Sequence, residues 1–141
     1  MRPRLLLLHM FLLFSFCHAG AESYHTFKNI TLPVNANQVN VVFQDDAGMI
    51  WLGTRRGLYN YNGYDLHQYD EAHSDFNGVF SIIQVDNDRL LLGTDVGIRA
   101  CNLSTWRFDD ISTSLMNIGE VRSLALYDGF LWIGTRDKGL F

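Results

Sequence analysis

The sequence predicts an all-β chain of β-propeller blades, each of four antiparallel strands. Two observations carry this reading. One pattern occurs three times: a β-branched run, an Asp/Asn turn, an apolar run ending in Gly-Thr, then a further Gly. Its Gly-Thr pairs begin at residues 53, 93 and 134, so the steps are 40 and 41. Each copy also breaks into short β-rich runs separated by Gly, Asn and Asp. A period near 40 with several short strands per unit marks a propeller blade. The expected layout is a leader over 1–21, an N-terminal strand and linker over 22–38, and blade 1 over 39–78. Blade 2 follows over 79–120 and a partial blade 3 over 121–141.

The leader comes first. Arg2 and Arg4 precede an apolar run from Leu5 to Phe16, and small residues follow at Ala19, Gly20 and Ala21. That is the layout of a secretory signal peptide cleaved after Ala19 or Ala21. The run is about a dozen residues, whereas a membrane-spanning helix needs about 20. No later stretch is apolar enough to span. Residues 24–30 read as a lone strand able to serve as the outer strand of a closing blade.

Blade 1 opens with Val39 to Gln44, apolar on both faces, as suits an innermost strand covered on both sides. Asp45-Asp46-Ala47-Gly48 is a turn, because Asp accepts local backbone donors and Gly tolerates positive φ. Met49 to Thr54 is the second strand and Leu58 to Tyr61 the third. Asn62-Gly63 signals a two-residue hairpin turn, which places the fourth strand over Tyr64 to Tyr69. Blade 2 repeats the plan, with strands over 79–85, 89–93, 97–101 and 105–109. Blade 3 shows two strands, 121–126 and 130–135. Trp51 and Trp132, with Leu91 in the same slot of the second copy, read as wedges between blades. Gly53, Gly93 and Gly134 read as positions of close backbone approach.

Composition bounds the partners. Without Arg2 and Arg4 the eleven Lys and Arg become nine against fifteen acids, a net charge of −6. An acidic surface of this kind argues against nucleic acid. Cys101 is the one thiol left after cleavage, so no internal disulfide forms and the core rests on packing. No catalytic constellation is visible. His25, His67 and His73 lack metal spacing, no Gly-rich phosphate loop precedes a helix, and no Ser or Cys stands in a nucleophile motif. No catalytic, cofactor-binding or metal residue is assigned, and no cofactor is expected.

Strand parity supplies the one functional clue. Strands of a blade alternate in direction, so the hairpin between the second and third strands shares a face with the connector between blades. Arg55, Arg56, Asp95, Arg136 and Asp137 are thereby gathered on a single rim. Loops on a rigid scaffold are where binding residues concentrate. Phe76 and Trp106 are further candidates for stacking beneath a ligand, although Trp106, on the outer strand, reads more readily as packing.

The segments Gln44-Asp45-Asp46-Ala47-Gly48-Met49-Ile50-Trp51-Leu52-Gly53-Thr54-Arg55-Arg56-Gly57-Leu58 and Leu131-Trp132-Ile133-Gly134-Thr135-Arg136-Asp137-Lys138-Gly139-Leu140 resemble the two-component regulator propeller repeat. So does Tyr59-Asn60-Tyr61-Asn62-Gly63-Tyr64. The second copy departs from it, with Leu91 for Trp and Ile98-Arg99-Ala100 for leucine and aromatics. The resemblance implies the N-terminal part of a periplasmic sensor in a hybrid histidine kinase regulator. Such sensors detect oligosaccharides and control transcription. It also implies that the kinase and most of the sensor lie outside this chain, which is then a non-catalytic fragment with no oligosaccharide affinity of its own. Two alternatives stand beside it: part of a secreted propeller lyase or hydrolase, and a small exported interaction module. Two and a half blades would leave Trp51 or Trp132 and the terminal inner strands uncovered, with self-association through open blade edges.

The leader is testable directly. N-terminal sequencing of exported protein should begin at Gly20 or Glu22, and an intact Met1 in a membrane fraction would contradict cleavage.

Overall fold

A computed structural model describes residues 26–33, 38–69, 75–111 and 117–141. The leader at 1–21 lies outside the described residues. Among those described, no helix is long and apolar enough to cross a membrane. The chain divides into two units, Met1–Ile30 and Thr31–Phe141. Residues 26–30 carry no strand, so the strand expected over 24–30 is not formed there. An extended segment becomes a strand only by pairing, and no described strand pairs with it.

The second unit contains ten described strands in three antiparallel sheets. Blade 1 is β1 (Val39–Gln44), β2 (Ile50–Thr54), β3 (Gly57–Tyr61) and β4 (Leu66–Tyr69). Blade 2 is β5 (Val79–Asp86), β6 (Arg89–Thr94), β7 (Gly97–Asn102) and β8 (Arg107–Asp110). Each follows the simple order of a meander. Blade 3 is β9 (Val121–Tyr127) and β10 (Phe130–Thr135), with one further bridge from Gly134 to Leu140.

The Gly-Thr pair owes its recurrence to hairpin chemistry. Thr54 Oγ1 donates to the Gly57 carbonyl at 3.0 Å and accepts from the Arg56 N–H at 2.9 Å. Thr94 does the same with Gly97 and Val96, and Thr135 with Gly139 and Lys138. Gly57, Gly97 and Gly139 have φ of 96°, 122° and 81°, which only glycine adopts without strain. The hairpin is therefore encoded by Thr-x-x-Gly in blades 1 and 2, and by Thr-x-x-x-Gly, one residue longer, in blade 3.

The third-to-fourth strand turn differs from expectation. Asn62 Oδ1 accepts from the backbone N–H groups of both Tyr64 and Asp65. An Asx turn of this kind holds those donors out of the ladder. The loop is thus residues 62–65 and β4 begins at Leu66. Asn102 repeats the device with Ser104 and Thr105, and β8 begins at Arg107 rather than 105.

Blades stack front to back. Side chains alternate across each strand, so Trp51 points forward while Ile50 and Leu52 point back. Trp51 is 1% exposed and lies among Val79, Ile82, Leu90, Leu92 and Cys101 of blade 2. Leu91, in the same slot, lies with Val121 and Leu124 of blade 3. The wedge role thus holds for both. Trp132, the third in the series, is 45% exposed, because no described residue covers the front of blade 3. The inner strand of blade 1 is not covered on both faces either. Val39 and Val42 on its back are exposed, and the covering there is limited to Leu32 over Leu52 and Tyr59.

Asp45 fixes the Trp51 wedge. Its Oδ1 accepts from the Met49 N–H and its Oδ2 from the Trp51 Nε1–H, both at 2.8 Å. Forty residues on, the pair becomes Val85 and Leu91; an apolar wedge has no N–H to satisfy. A double-mutant cycle tests the linkage. Asp45→Val should cost about 2 kcal/mol by orphaning a buried donor, and Trp51→Leu about 3 kcal/mol through a cavity. The pair together should cost about 1–2 kcal/mol less than the sum. Strict additivity in urea unfolding would show that the hydrogen bond does not couple them.

Candidate functional site

The connector rim is built by one backbone contact used three times. The N–H following each Gly-Thr pair donates to the carbonyl just before an inner strand. The pairs are Arg55 to Gln38 at 3.4 Å, Asp95 to Gly78 at 3.1 Å and Arg136 to Glu120 at 2.9 Å. Hairpin tips and the ends of the connectors therefore lie side by side.

Around that frame the five rim residues divide by what their side chains hold. Asp95 Oδ1 accepts from the N–H groups of Asn77 and Gly78 at 3.1 and 3.2 Å. It ties the blade 1–2 connector to its hairpin. Arg136 Nη1 donates to Glu120 Oε2 at 3.1 Å, and Asp137 stands 3.8 Å from its guanidinium. The Glu120 hydrogen bond, first among the causes, raises the pKa of Arg136. Arg55 and Arg56 are exposed. Among the described residues, no hydrogen bond or ion pair engages either guanidinium, and none joins their hairpin to that of Arg136 and Asp137.

Of the two stacking candidates, Phe76 packs within the protein instead, and Trp106 packs as its place on the outer strand suggests. Phe76 is buried against Phe108, with ring centroids 5.2 Å apart. Trp106 lies 4.7 Å from Tyr69 and 6.3 Å from Trp51, closing the outer edge of the blade 1–2 interface.

Sequence reasoning missed three features. The first is Arg99, 4% exposed on β7. It forms a two-pronged pair with Asp75, Nε to Oδ1 at 2.9 Å and Nη2 to Oδ2 at 2.7 Å, and reaches Asp110 at 2.8 Å. A lone Arg between Ile98 and Ala100 in a buried strand was the available signal, since a buried guanidinium requires carboxylates. The second is a bulge that recurs in every inner strand, at Asn40, Phe80 and Arg122. Bulges re-aim side chains. Here Asn40 Nδ2 donates to the Val79 carbonyl at 2.9 Å, and the Arg122 guanidinium sits 4.2 Å over the Phe80 ring. Glu120 joins this cluster through ion pairs with Arg122 and Arg136. The third is a cleft of about 610 Å³ near the β5–β6 turn, bordered by Asp86, Asp88, Arg89, Asn102 and Asp109. Its polar groups serve one another: Asp86 pairs with Arg89 at 3.1 Å and Asp88 accepts from Ser104 Oγ at 3.0 Å. Among the described residues no three metal-binding side chains converge.

Front-to-back blades joined along a hairpin rim define a propeller-repeat architecture. Residues 33–56, spanning β1 and β2, match the model of the two component regulator propeller family. No curated protein sequence matches the chain. Solved structures do, among them two of the extracellular domain of BT4673 from B. thetaiotaomicron. One, described as a one component system, has a TM-score of 0.70 and 30% identity over 84% of this chain. The other, described as a hybrid two component system, has a TM-score of 0.69 and 30% identity over 83%. The chain spans 17% of the length of each. It carries the two-component regulator propeller repeat and resembles the extracellular domain of a sensor of that kind.

The Arg99 triad makes a pH prediction. The hydrogen bond from Arg99 holds the Asp75 carboxyl below its ordinary value of 3.8. Its stabilisation is therefore present above that value and is lost as pH falls through the lowered one. Asp75→Asn should flatten the acid limb of stability in urea unfolding from about pH 5 down to about pH 2. An acid limb of unchanged steepness would contradict the pairing.

Proposed function

We propose that this chain forms part of the extracytoplasmic, ligand-sensing portion of a two-component regulator, with the connector rim turned to the ligand. The observation that supports it most directly is the 30% identity, over 84% of the chain, to the extracellular domain of BT4673. The leader-like segment at 1–21 agrees with export. The ligand class is an oligosaccharide and the output is transcription. The histidine kinase that carries the signal belongs to polypeptide beyond this segment, and this segment contributes rim residues to a binding face completed by further blades, without catalysing.

Arg55, Arg56 and Asp137 are the proposed contact residues. An arginine offers five donors in a fixed fork and an aspartate accepts hydroxyl protons, the two halves of sugar recognition. Asp95 and Arg136 hold the rim in shape through Asn77, Gly78 and Glu120.

The test is a transcription reporter driven by a complete regulator containing this segment, titrated with oligosaccharides. Arg55→Ala with Arg56→Ala should raise the half-saturating concentration by about tenfold or more, the loss of one charge-assisted hydrogen bond. Asp95→Asn should instead lower the melting temperature of the extracellular domain. An unchanged dose response in the double variant would overturn the rim assignment. An output indifferent to every sugar would overturn the ligand class.

A further inference from the structure

We propose that Asn62 is a built-in modification site, where the chain's own backbone converts the side-chain amide to aspartate and isoaspartate while the fold stays intact. The inference stands on the third-to-fourth strand turn of blade 1 and is independent of the sensing reading.

The reaction needs an uncommitted backbone nitrogen beside a polarised amide. The nitrogen of Gly63 gives its proton to hydroxide and attacks Asn62 Cγ. A Cγ–N bond forms and the Cγ–Nδ2 bond breaks, and Nδ2 takes a proton from water and leaves as ammonia. Water then opens the resulting succinimide ring. Opening at the Cγ–N bond gives aspartate. Opening at the bond between the α-carbonyl and that nitrogen gives isoaspartate, with the main chain running through the former side chain.

Asn62 meets both needs. Its Oδ1, which gains negative charge during the attack, already accepts from the Tyr64 and Asp65 N–H groups at 2.9 and 2.8 Å. Aimed backbone donors at that distance stabilise a developing oxyanion. Gly63 is exposed, and a Cβ there would meet nothing within 4 Å. Among the described residues nothing accepts from its N–H. A neighbouring blade does not close such a tip: Ser104 and Thr105, at the equivalent turn of blade 2, are exposed with blade 1 packed beside them.

Two other asparagines each lack one condition. Asn77-Gly78 is the same dipeptide, but the Gly78 N–H donates to Asp95 Oδ1 at 3.2 Å. A hydrogen bond to a carboxylate favours keeping that proton in place. Gly78 is also buried, against the Phe80 ring. Asn102 has the same pair of donors, from Ser104 and Thr105. Its attacking nitrogen would be that of Leu103, whose N–H donates to the Asp88 carbonyl at 2.7 Å. An aspartate in place of Asn62 keeps an acceptor for both donors, so the turn survives. An isoaspartate lengthens the loop backbone by one carbon and loosens the entry to β4.

The test is incubation of the folded, exported polypeptide containing this segment in mildly alkaline buffer. Peptide mapping by mass spectrometry that separates isoaspartate from aspartate reads the outcome. Asn62 should convert to both products at a rate proportional to hydroxide, while Asn77 and Asn102 stay intact. In denaturant Asn77 should convert as readily as Asn62. Asp95→Ala should release conversion at Asn77 in the folded protein. Should that variant unfold, the folded-against-denatured comparison on the unmodified chain decides by itself. An Asn62 that stays intact in the folded protein overturns the proposal. So does a folded protein in which Asn77 or Asn102 converts as fast as Asn62.

Discussion

The contact between the first valine of the inner strands of blades 2 and 3 and the glycine on the second strand of the preceding blade organises this protein. Val79 over Gly53 and Val121 over Gly93 bring neighbouring sheets together through backbone as well as side chain, since the valine carbonyls also lie 3.0 and 3.1 Å from the absent Cβ positions. Among the described residues no disulfide assists; Cys101 is free and buried, and burial pushes its thiol up to about 12. Close packing therefore carries the fold. The wedge, the hairpin and the connectors all take their positions from this approach.

Sequence variation among the copies follows from that constraint. An indole wedge brings a polar N–H into an apolar seam, so blade 1 supplies Asp45 beneath Trp51. Blade 2 uses Leu91 and needs no acid there. Arg99 is the opposite departure: a charge placed on the back of blade 2 that recruits Asp75 from the connector and Asp110 from the outer strand. The copies differ in which groups fill the seam while the backbone spacing between sheets is kept.

Much of the blade architecture was legible because its signals are local. Gly-Thr followed by Gly encodes a hairpin by hydrogen bonds within five residues, and the 40-residue step made each copy a check on the others. Turn length was misread at Asn62-Gly63, where the pattern of a two-residue turn yields to an Asx turn that captures two backbone donors. The rim was legible as a location from strand parity, but the commitments of its side chains were not. That Asp95 is held by Asn77 and Gly78 depends on a connector fold that no short pattern specifies. The same holds for Phe76 and Trp106, whose aromatic character fits stacking on a ligand and packing on Tyr69 and Phe108 equally well.

A propeller segment of this design has a closely packed seam and a rim on which, among the described residues, few side-chain donors are uncommitted. Arg55 and Arg56 stand on a hairpin whose Thr54 and Gly57 are both buried, so their backbone is fixed while their side chains are not. Everything in that arrangement presumes the seam. The most direct measurement compares Gly93→Ala with Gly134→Ala by urea unfolding. At Gly93 the added methyl meets Val121 backbone and side chain, and the loss should be about 1–3 kcal/mol, as for an overpacked core. At Gly134 it meets the Ser123 hydroxyl, which can turn toward solvent, and the loss should stay within about 0.5 kcal/mol. Equal losses at the two glycines would contradict the claim that seating a neighbour's valine is what the motif glycine is for.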